Sequence, residues 1–476
     1  MINISFNAAE TSLALDSSSV RHLNAIRQQL TYTSQKIVYA NRNSRMPSHL
    51  LPSPQVCLLS QNHKFPTGLL PRLIKYLNQC DIQYKLHNRI ALAAKAEVEI
   101  PDWAYSHQVQ MTREGLQKRR GIIKAPTGSG KTATIAFILK FFPSVECLVT
   151  VPSKDLLEQT ALQLEQILEE PVGRIGAGKK KWKRVTVGII NSLANAAEQQ
   201  THDFSKVSVL IVDECHRAAS SYYTKVSRVC SNTDYRLGFS ATPWRNDGED
   251  LVMEGVLGPI VVNISDKELT DKGLVASVQS FIFQVPDPNT KFTGAISNLD
   301  GTYSYVERPP QQEVYEGALV HNKYRNQLIC EIAAAFLQAQ YKYPGVILVS
   351  RINHGELLAS TLQVPFLSGE TKNRQTEYTK IGKEYPLVIT SDILKEGVDI
   401  PQIGFIILAG GGSSKAKVIQ QVGRARRKKK EAIIIDFDDQ ESLYLNRASE
   451  KRIDALKTLG KLEVVDTITR ISEALN

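Results

Sequence analysis

The chain has 476 residues, 42% of them hydrophobic, with 58 Lys and Arg against 48 Asp and Glu for a net charge of +10, enough for about three domains with real cores. No apolar run approaches the ~18 residues of a membrane span, the opening Met-Ile-Asn-Ile-Ser-Phe-Asn is no secretory signal, and the six cysteines form no C-x-x-C pair. These features argue against membrane, disulfide-stapled and zinc-binding classes and suit a reducing cytosol, while the basic excess points to a polyanion whose counterions Lys and Arg release.

Residues 1–100 read as a small α/β accessory domain. Lys36, Ile37, Val38, Tyr39 and Ala40, and then Val56, Cys57, Leu58 and Leu59, read as short strands around a loop with Pro47, Pro52 and Pro54. Leu69, Leu70, Leu73, Ile74 and Leu77 recur at helical spacing. Arg42, Arg45, Lys64, Arg72 and Lys75 fit either a nucleic-acid grip or a solvated basic face. A boundary at Pro101 leads into a helix through Arg120, on which Gln108 offers the paired donor and acceptor that an adenine ring needs; the alternative is a surface glutamine.

Residues 121–132 read Gly-Ile-Ile-Lys-Ala-Pro-Thr-Gly-Ser-Gly-Lys-Thr. A buried strand ends at Ile122 and Ile123, a glycine turn follows, and a helix begins near Lys131. This fits the phosphate-binding loop A-x-x-x-x-G-K-T, with Ala125 in place of the stricter glycine. Thr127, Gly128, Ser129 and Gly130 then turn backbone N–H groups toward the phosphates of ATP at a helix N-terminus. Lys131 reaches the β- and γ-phosphates, and the Thr132 hydroxyl ligates Mg²⁺.

Cys147, Leu148, Val149, Thr150 and Val151 form a second buried strand, ended by Pro152, and Ser153 can cap the next helix. Residues 173–184, with Lys179, Lys180, Lys181, Trp182, Lys183 and Arg184, fit a phosphate-tracking strip with one stacking or wedging aromatic, or a solvated loop. A third strand spans 185–190, and a fourth, 207–212, runs into Asp213, Glu214, Cys215 and His216. Such alternation builds a parallel sheet with its site at the carboxyl edge. Asp213 at a strand tip can hold Mg²⁺ through water, and Glu214 can orient and deprotonate the attacking water. A further strand ends in Ser240, Ala241 and Thr242, small hydroxyl residues able to bridge Glu214 and His216 to the far side of a cleft.

Periodicity weakens from about residue 263 to 312, where Pro286, Pro288, Pro309 and Pro310 mark a connector with an insertion; Tyr303 and Tyr305 fit a plain strand or a base-stacking pair. A second α/β unit begins near Asn322 with an apolar helix (Leu328, Ile329, Ile332, Phe336) and strands at 345–350, 387–390 and 405–408. It leads to Gln420, Gln421, Val422, Gly423, Arg424, Ala425, Arg426 and Arg427. Arginines can stabilise the charge of a transferring phosphoryl group, and Arg424 and Arg427 share a helix face, with Arg426 as the neighbouring alternative. Lys428, Lys429 and Lys430 read as a solvated or nucleic-acid-facing run.

In this order and spacing, A-P-T-G-S-G-K-T, D-E-C-H and S-A-T-P resemble motifs I, II and III of the superfamily 2 helicases of the D-E-x-H type. The run from Gln420 is similar to their motif VI, Q-R-x-G-R-x-x-R, with Gln421 replacing the first arginine. The D-F-x-D run at Asp436 resembles the branch-migrating helicases of the UvsW type, related to the XPB-like group. The resemblance spans roughly residues 100–460 and implies an α/β chain with two RecA-like parallel-sheet lobes: 1–100 accessory domain, 101–262 first lobe, 263–320 connector, 321–476 second lobe. It further implies coupling roles for His216, Ser240, Thr242 and Gln420, and finger roles for Arg424 and Arg427. Nucleotide contacts follow at Gly397 and Asp399, and nucleic-acid contacts at Pro152, Ser153, Ser192, Ser350, Arg351 and Thr390. Ile189 stands where the family often has threonine. The expected function is an ATP-dependent helicase or translocase on forked or branched DNA, in the cytoplasm of a bacterial or phage-infected cell. An RNA helicase of the same superfamily, or an ATP-gated DNA-binding subunit of a restriction or defence complex, are the alternatives.

Overall fold

The computed structural model describes residues 1–42, 44, 46–243, 249–286, 296–297, 303–304, 311–391, 403–412, 414–425, 431–440 and 443–475. Two compact units divide the chain, Met1–Ser265 and Asp266–Asn476.

The first unit opens with strands β1 (Ile2–Phe6) and β2 (Glu10–Leu15), helices α1 (Leu23–Gln29) and α2 (Gln35–Arg42), strand β3 (Lys64–Pro66), helix α3 (Leu70–Gln79) and strand β4 (Tyr84–Asn88). The four strands pair in the order β3-β2-β1-β4. Strand alternation turns Ile2, Ile4, Leu13 and Phe65 to one face, where Ile26 of α1 and Leu70, Leu73 and Leu77 of α3 complete a core. Residues 36–40, expected as a strand, lie instead within α2, because the apolar run 37–40 is short enough to fit either period. The strand expected at 56–59 is Gln55–Cys57, paired with Thr31–Thr33.

The rest of the unit comprises α4 (Ser106–Lys118), β5 (Arg120–Lys124), α5 (Lys131–Lys140), β6 (Glu146–Val151), α6 (Lys154–Leu168), β7 (Gly173–Gly176), β8 (Lys179–Lys181), β9 (Val185–Ile189), α7 (Ile190–Glu198), β10 (Val207–Asp213), α8 (Ser221–Val229), β11 (Tyr235–Ser240), α9 (Asp250–Leu257) and β12 (Ile260–Asn263). The sheet order is β8-β7-β9-β6-β10-β11-β5-β12, parallel throughout except for β8, which returns antiparallel along β7. Central strands β9 and β11 are buried along their whole length, as a parallel sheet with helices on its faces requires.

The accessory sheet is not a free appendage of this lobe. Leu251 of α9 is buried in the accessory core, and a Cβ at Gly68 would stand 2.0 Å from the Glu254 carbonyl oxygen. Arg72 pairs with Glu254 at 2.7 Å and Lys36 with Glu249 at 2.8 Å. The Arg120 guanidinium donates to the Ala8 carbonyl, and the Ala8 N–H donates to Ser231 at 3.1 Å. Arg72, read from sequence as a grip residue, is therefore tied up in packing the accessory domain onto the lobe. Arg45 lies outside the described residues.

The second unit comprises β13 (Ser277–Val285), α10 (Lys323–Gln338), β14 (Gly345–Leu348), α11 (Ile352–Leu362), β15 (Phe366–Leu367), β16 (Leu387–Thr390), β17 (Phe405–Leu408), α12 (Lys415–Ala425), β18 (Glu431–Asp439), α13 (Leu443–Lys457), β19 (Lys461–Val465) and α14 (Thr469–Leu475), with shorter helical turns between them. Its sheet runs β15-β16-β14-β17-β18-β13-β19, every neighbouring pair parallel. Strand β13 corrects the connector expected over 263–320: residues 277–285 pair with β18 and β19 and belong to this core. The alternation Val278, Ser280, Ile282 against Phe281, Phe283, Val285 feeds apolar side chains to both faces of the sheet, which hides a period of two. Tyr303 lies in a two-residue strand paired with Ile296–Ser297, the plain-strand alternative; Tyr305 lies outside the described residues. Among the described residues no helix is long and apolar enough to cross a membrane.

Replacing Leu251 by Ala should lower the unfolding free energy by ~2–5 kcal/mol, the usual range for a buried leucine, as read from urea melts. A change below ~0.5 kcal/mol, the surface-substitution range, would contradict the docked arrangement.

Candidate functional site

Parallel pairing places three motif-bearing strand ends side by side at the carboxyl edge of the first lobe. Asp213 of β10 is opposite Phe239 of β11, and Ser240 of β11 is opposite Lys124 of β5. With neighbouring strands about 4.8 Å apart, the phosphate loop, the acidic pair and the Ser-Ala-Thr turn occupy one short stretch of the edge.

The loop holds the shape that its glycines permit. Gly128 and Gly130 have φ of 89° and 78°, the left-handed region closed to most residues, and Gly130 is the N-cap of α5. A Cβ at Gly130 would stand 2.0 Å from Gln108 Nε2. The Ser129 hydroxyl is buried and without a partner among the described residues, a polar group suited to meet phosphate in this cradle. The Lys131 ammonium donates back to the carbonyls of Ala125 and Pro126, both at 3.4 Å. Thr132 follows in the first turn of α5.

Gln108 packs beneath the loop. It is 4% exposed, its Oε1 accepts from the Tyr105 N–H at 3.0 Å, and its Nε2 donates to the Ser129 carbonyl at 3.4 Å. The amide thus joins the start of α4 to the loop and braces it, with the second Nε2 hydrogen not used in these two bonds. His107, which sequence reasoning missed, adds a bond from Nε2 to the same Ser129 carbonyl at 2.8 Å.

Asp213 is 6% exposed, and its Oδ1 accepts from the Glu214 N–H at 2.9 Å. Glu214 itself has φ 49°, an uncommon conformation for a non-glycine that concentrates at functional sites. His216 Nδ1 lies 3.4 Å from Glu214 Oε2 and 3.4 Å from Ser240 Oγ, which accepts from the Thr242 N–H at 3.1 Å. Three of the four expected coupling residues, His216, Ser240 and Thr242, therefore line up in contact with one another from Glu214 onward. Burial pushes the Cys215 thiol well up, Glu214 and Asp213 push it further, and Lys131 opposes them, so the acids and the loop lysine act on one buried sulfur. Thr132 and Asp213 offer oxygen donors only, the chemistry that Mg²⁺ prefers when phosphate and water complete its shell.

Farther along the same edge lie Pro152, Ser153 and Ser192, expected to meet nucleic acid, whereas antiparallel β8 carries Lys181 and Trp182 back toward the opposite edge. Ser153 caps α6, accepting from the Leu156 N–H at 3.3 Å; Pro152 precedes it, and half-buried Ser192 sits in the first turn of α7. Ile189 is 9% exposed and packs against Gly176, a wall of the β7–β8 hairpin. All three residues of β8 are exposed, Lys181 among them, and Lys179 pairs with Glu158 at 2.7 Å. Trp182 is corrected: its ring stacks on His202 at 3.7 Å and meets Phe204 edge-on at 5.6 Å, so its stacking surface is engaged inside the lobe.

In the second unit, Ser350 Oγ donates to the Gly410 carbonyl at 2.9 Å, and the Arg351 guanidinium lies 5.4 Å from the Tyr315 ring. Thr390 is buried at the end of β16, opposite Leu348. Gln420 and Arg424 belong to α12. Gly397, Asp399, Arg426, Arg427, Lys428, Lys429 and Lys430 lie outside the described residues. Sequence reasoning also missed a buried cluster of Arg325, Asp436, Asp439 and Arg452. The D-F-x-D run carries half of it, but nothing local links Arg325 to a strand 114 positions later.

A phosphate loop after β5 and an acidic pair at the end of β10, with β11 between these parallel strands, and a second parallel-sheet unit define the class of RecA-like NTPases. The family described as "Type III restriction enzyme, res subunit" matches residues 83–245, and "Helicase conserved C-terminal domain" matches residues 326–429. The DNA 3'-5' translocase XPB2 of Sulfurisphaera tokodaii is 28% identical over 69% of this chain and 79% of its own length. The ATP-dependent DNA helicase uvsW of Enterobacteria phage T4 is 23% identical over 78% of each. S. cerevisiae Dbp5 bound to RNA and ADP BeF3 shares the fold, with a TM-score of 0.53, 14% identity, and coverage of 75% of this chain and 88% of that one. The chain belongs to the superfamily 2 helicases, related to UvsW and XPB, and hydrolyses ATP.

Gly130→Ala should weaken nucleotide binding by at least ~10-fold, because the new methyl meets Gln108 and φ leaves the range of alanine. Titration with a fluorescent ATP analogue checks this, and wild-type affinity would contradict the bracing geometry.

Proposed function

We propose that this chain is an ATP-driven DNA helicase or translocase that works on forked or branched DNA, in the cytoplasm of a bacterial or phage-infected cell. The observation that carries the reading is the convergence of residues 125–132, Asp213 with Glu214, and Ser240 with Thr242 on adjacent strand ends. The printed names of the relatives, a DNA translocase and a DNA helicase, supply the substrate class.

Hydrolysis of a phosphoanhydride is mainly a matter of neutralising charge and positioning water. Lys131 and the loop N–H groups hold the phosphates. Thr132 and Asp213 hold Mg²⁺, which neutralises charge on the phosphate oxygens when bound. Glu214 orients the attacking water and accepts its proton. Arg424 and Arg427 supply cationic charge to the transferring phosphoryl group. Gly397 and Asp399 contact the nucleotide ribose. The chain Glu214–His216–Ser240–Thr242 passes the state of the phosphate to the rest of the lobe, with Gln420 as its counterpart on α12. Pro152, Ser153, Ser192 and Lys181 on the first lobe, with Ser350, Arg351 and Thr390 on the second, track the DNA backbone.

Lys131→Ala and Glu214→Gln should each lower DNA-stimulated kcat by on the order of 10²-fold or more, the usual effect of removing a preorganised charge or base. Glu214→Gln should keep its affinity for ATP while Lys131→Ala loses it. Turnover within a factor of two of wild type in either variant would overturn the site.

A further inference from the structure

Four ionisable side chains are shut inside the second unit. Arg325 of α10 and Arg452 of α13 are 0% and 2% exposed, and Asp436 and Asp439 of β18 are 0% and 1% exposed. Arg325 Nε donates to Asp439 Oδ1 at 2.7 Å. Arg452 Nε donates to both oxygens of Asp436 at 3.0 Å, and its Nη2 reaches the Phe437 carbonyl at 2.7 Å and Asp439 Oδ2 at 3.4 Å.

Arg325 Nη2 also lies 3.5 Å from Asp439 Oδ2, and the Nη1 of each guanidinium goes to a single loop. Arg325 Nη1 donates to the Ala409 carbonyl at 2.9 Å, and Arg452 Nη1 to the Gly412 carbonyl at 3.1 Å. These carbonyls bracket Gly410 and Gly411, the turn that joins β17 to α12. Gly411 has φ 61°, and a Cβ there would stand 2.3 Å from Leu319, so the turn has little room to take another path. The start of α12 is held a second way, by Lys415 and Asp454 of α13 at 3.2 Å. A cavity of about 40 Å³ is lined by Arg452 together with Ser350, Gly411, Ser414 and Gln421 of α12.

We propose that Arg325, Asp439, Arg452 and Asp436 are positioning residues for ATP hydrolysis: they fix both ends of the 409–412 loop and thereby the placement of α12, the helix that carries Gln420 and Arg424. The proposal rests on the reading that α12 acts in ATP turnover. Stability does not account for the cluster, since apolar side chains of similar volume often replace buried ion pairs without loss. A planar guanidinium does what those cannot, binding a carboxylate with one arm and a loop carbonyl with another.

The test uses the full chain with Arg452→Lys and, separately, Arg325→Lys, which keep the charge and lose the fork. A displacement of about 1 Å at a reacting group costs on the order of 10²-fold in rate, so DNA-stimulated kcat should fall by about that factor. The KM for ATP should stay within about threefold, since α12 enters in turnover and not in nucleotide binding. Hydrogen exchange should quicken at residues 409–425 and stay unchanged in β17 and β18. Wild-type kcat in both variants, or exchange rising as much in β17, β18 and α13 as in α12, would overturn the proposal. Should Arg452→Lys fail to fold, Arg325→Lys, which gives up the Ala409 contact, carries the same expectation. If the wild-type chain hydrolyses no ATP, the functional reading fails, and the exchange pattern alone still decides whether the cluster positions α12.

Discussion

The parallel pairing of β10, β11 and β5 is the constraint on which the nucleotide end depends. A parallel sheet terminates its strands at one edge, so groups far apart in sequence meet there without a dedicated scaffold. Asp213, Ser240 and Lys124 fall within one residue of each other in register. Shift β10 by one residue and Asp213 would turn to the opposite face. Strands β9 and β11 of this sheet are buried along their whole length, as a parallel sheet covered on both faces requires.

At both edges of that sheet, buried polar groups fix geometry more than they add stability. Gln108 and His107 converge on one carbonyl of the phosphate loop, and Arg236, 1% exposed, donates to Ser227 and to the Cys230 carbonyl at the end of α8. Burial pushes the Arg236 guanidinium down to about 10, yet at neutral pH it stays charged beside carbonyl oxygens at a helix C-terminus, where a cation is favoured. In the second unit the balance is ionic. Burial pushes the Asp436 carboxyl up, with the Arg452 ion pair opposing it, and two arginines against two aspartates keep the interior neutral.

Motifs I, II and III were legible because each is a local contract between backbone and side chain. Gly128 and Gly130 are the residues that such φ values admit, Lys131 follows at a helix start, and Asp213 ends a run of five buried residues. Other features depend on partners that sequence order hides. Residues 36–40 fit both periods and became a helix. Strand β13 was absorbed into a proline-rich connector because both its faces are apolar. Trp182 read as an exposed wedge in a lysine run, but His202 and Phe204 cover its ring from 20 residues away and beyond. Gln108 read as either a base contact or a surface side chain, and its burial between Tyr105 and Ser129 excludes the second. The arginines that close on Asp436 and Asp439 come from α10 and α13, and no spacing rule joins them.

The most direct test of the central claim is the steady-state ATPase of the purified chain, alone and with single-stranded, duplex and forked DNA and with RNA. The account predicts strong stimulation by DNA, greatest with forks. Stimulation by RNA alone, or by none of these polymers, would contradict it.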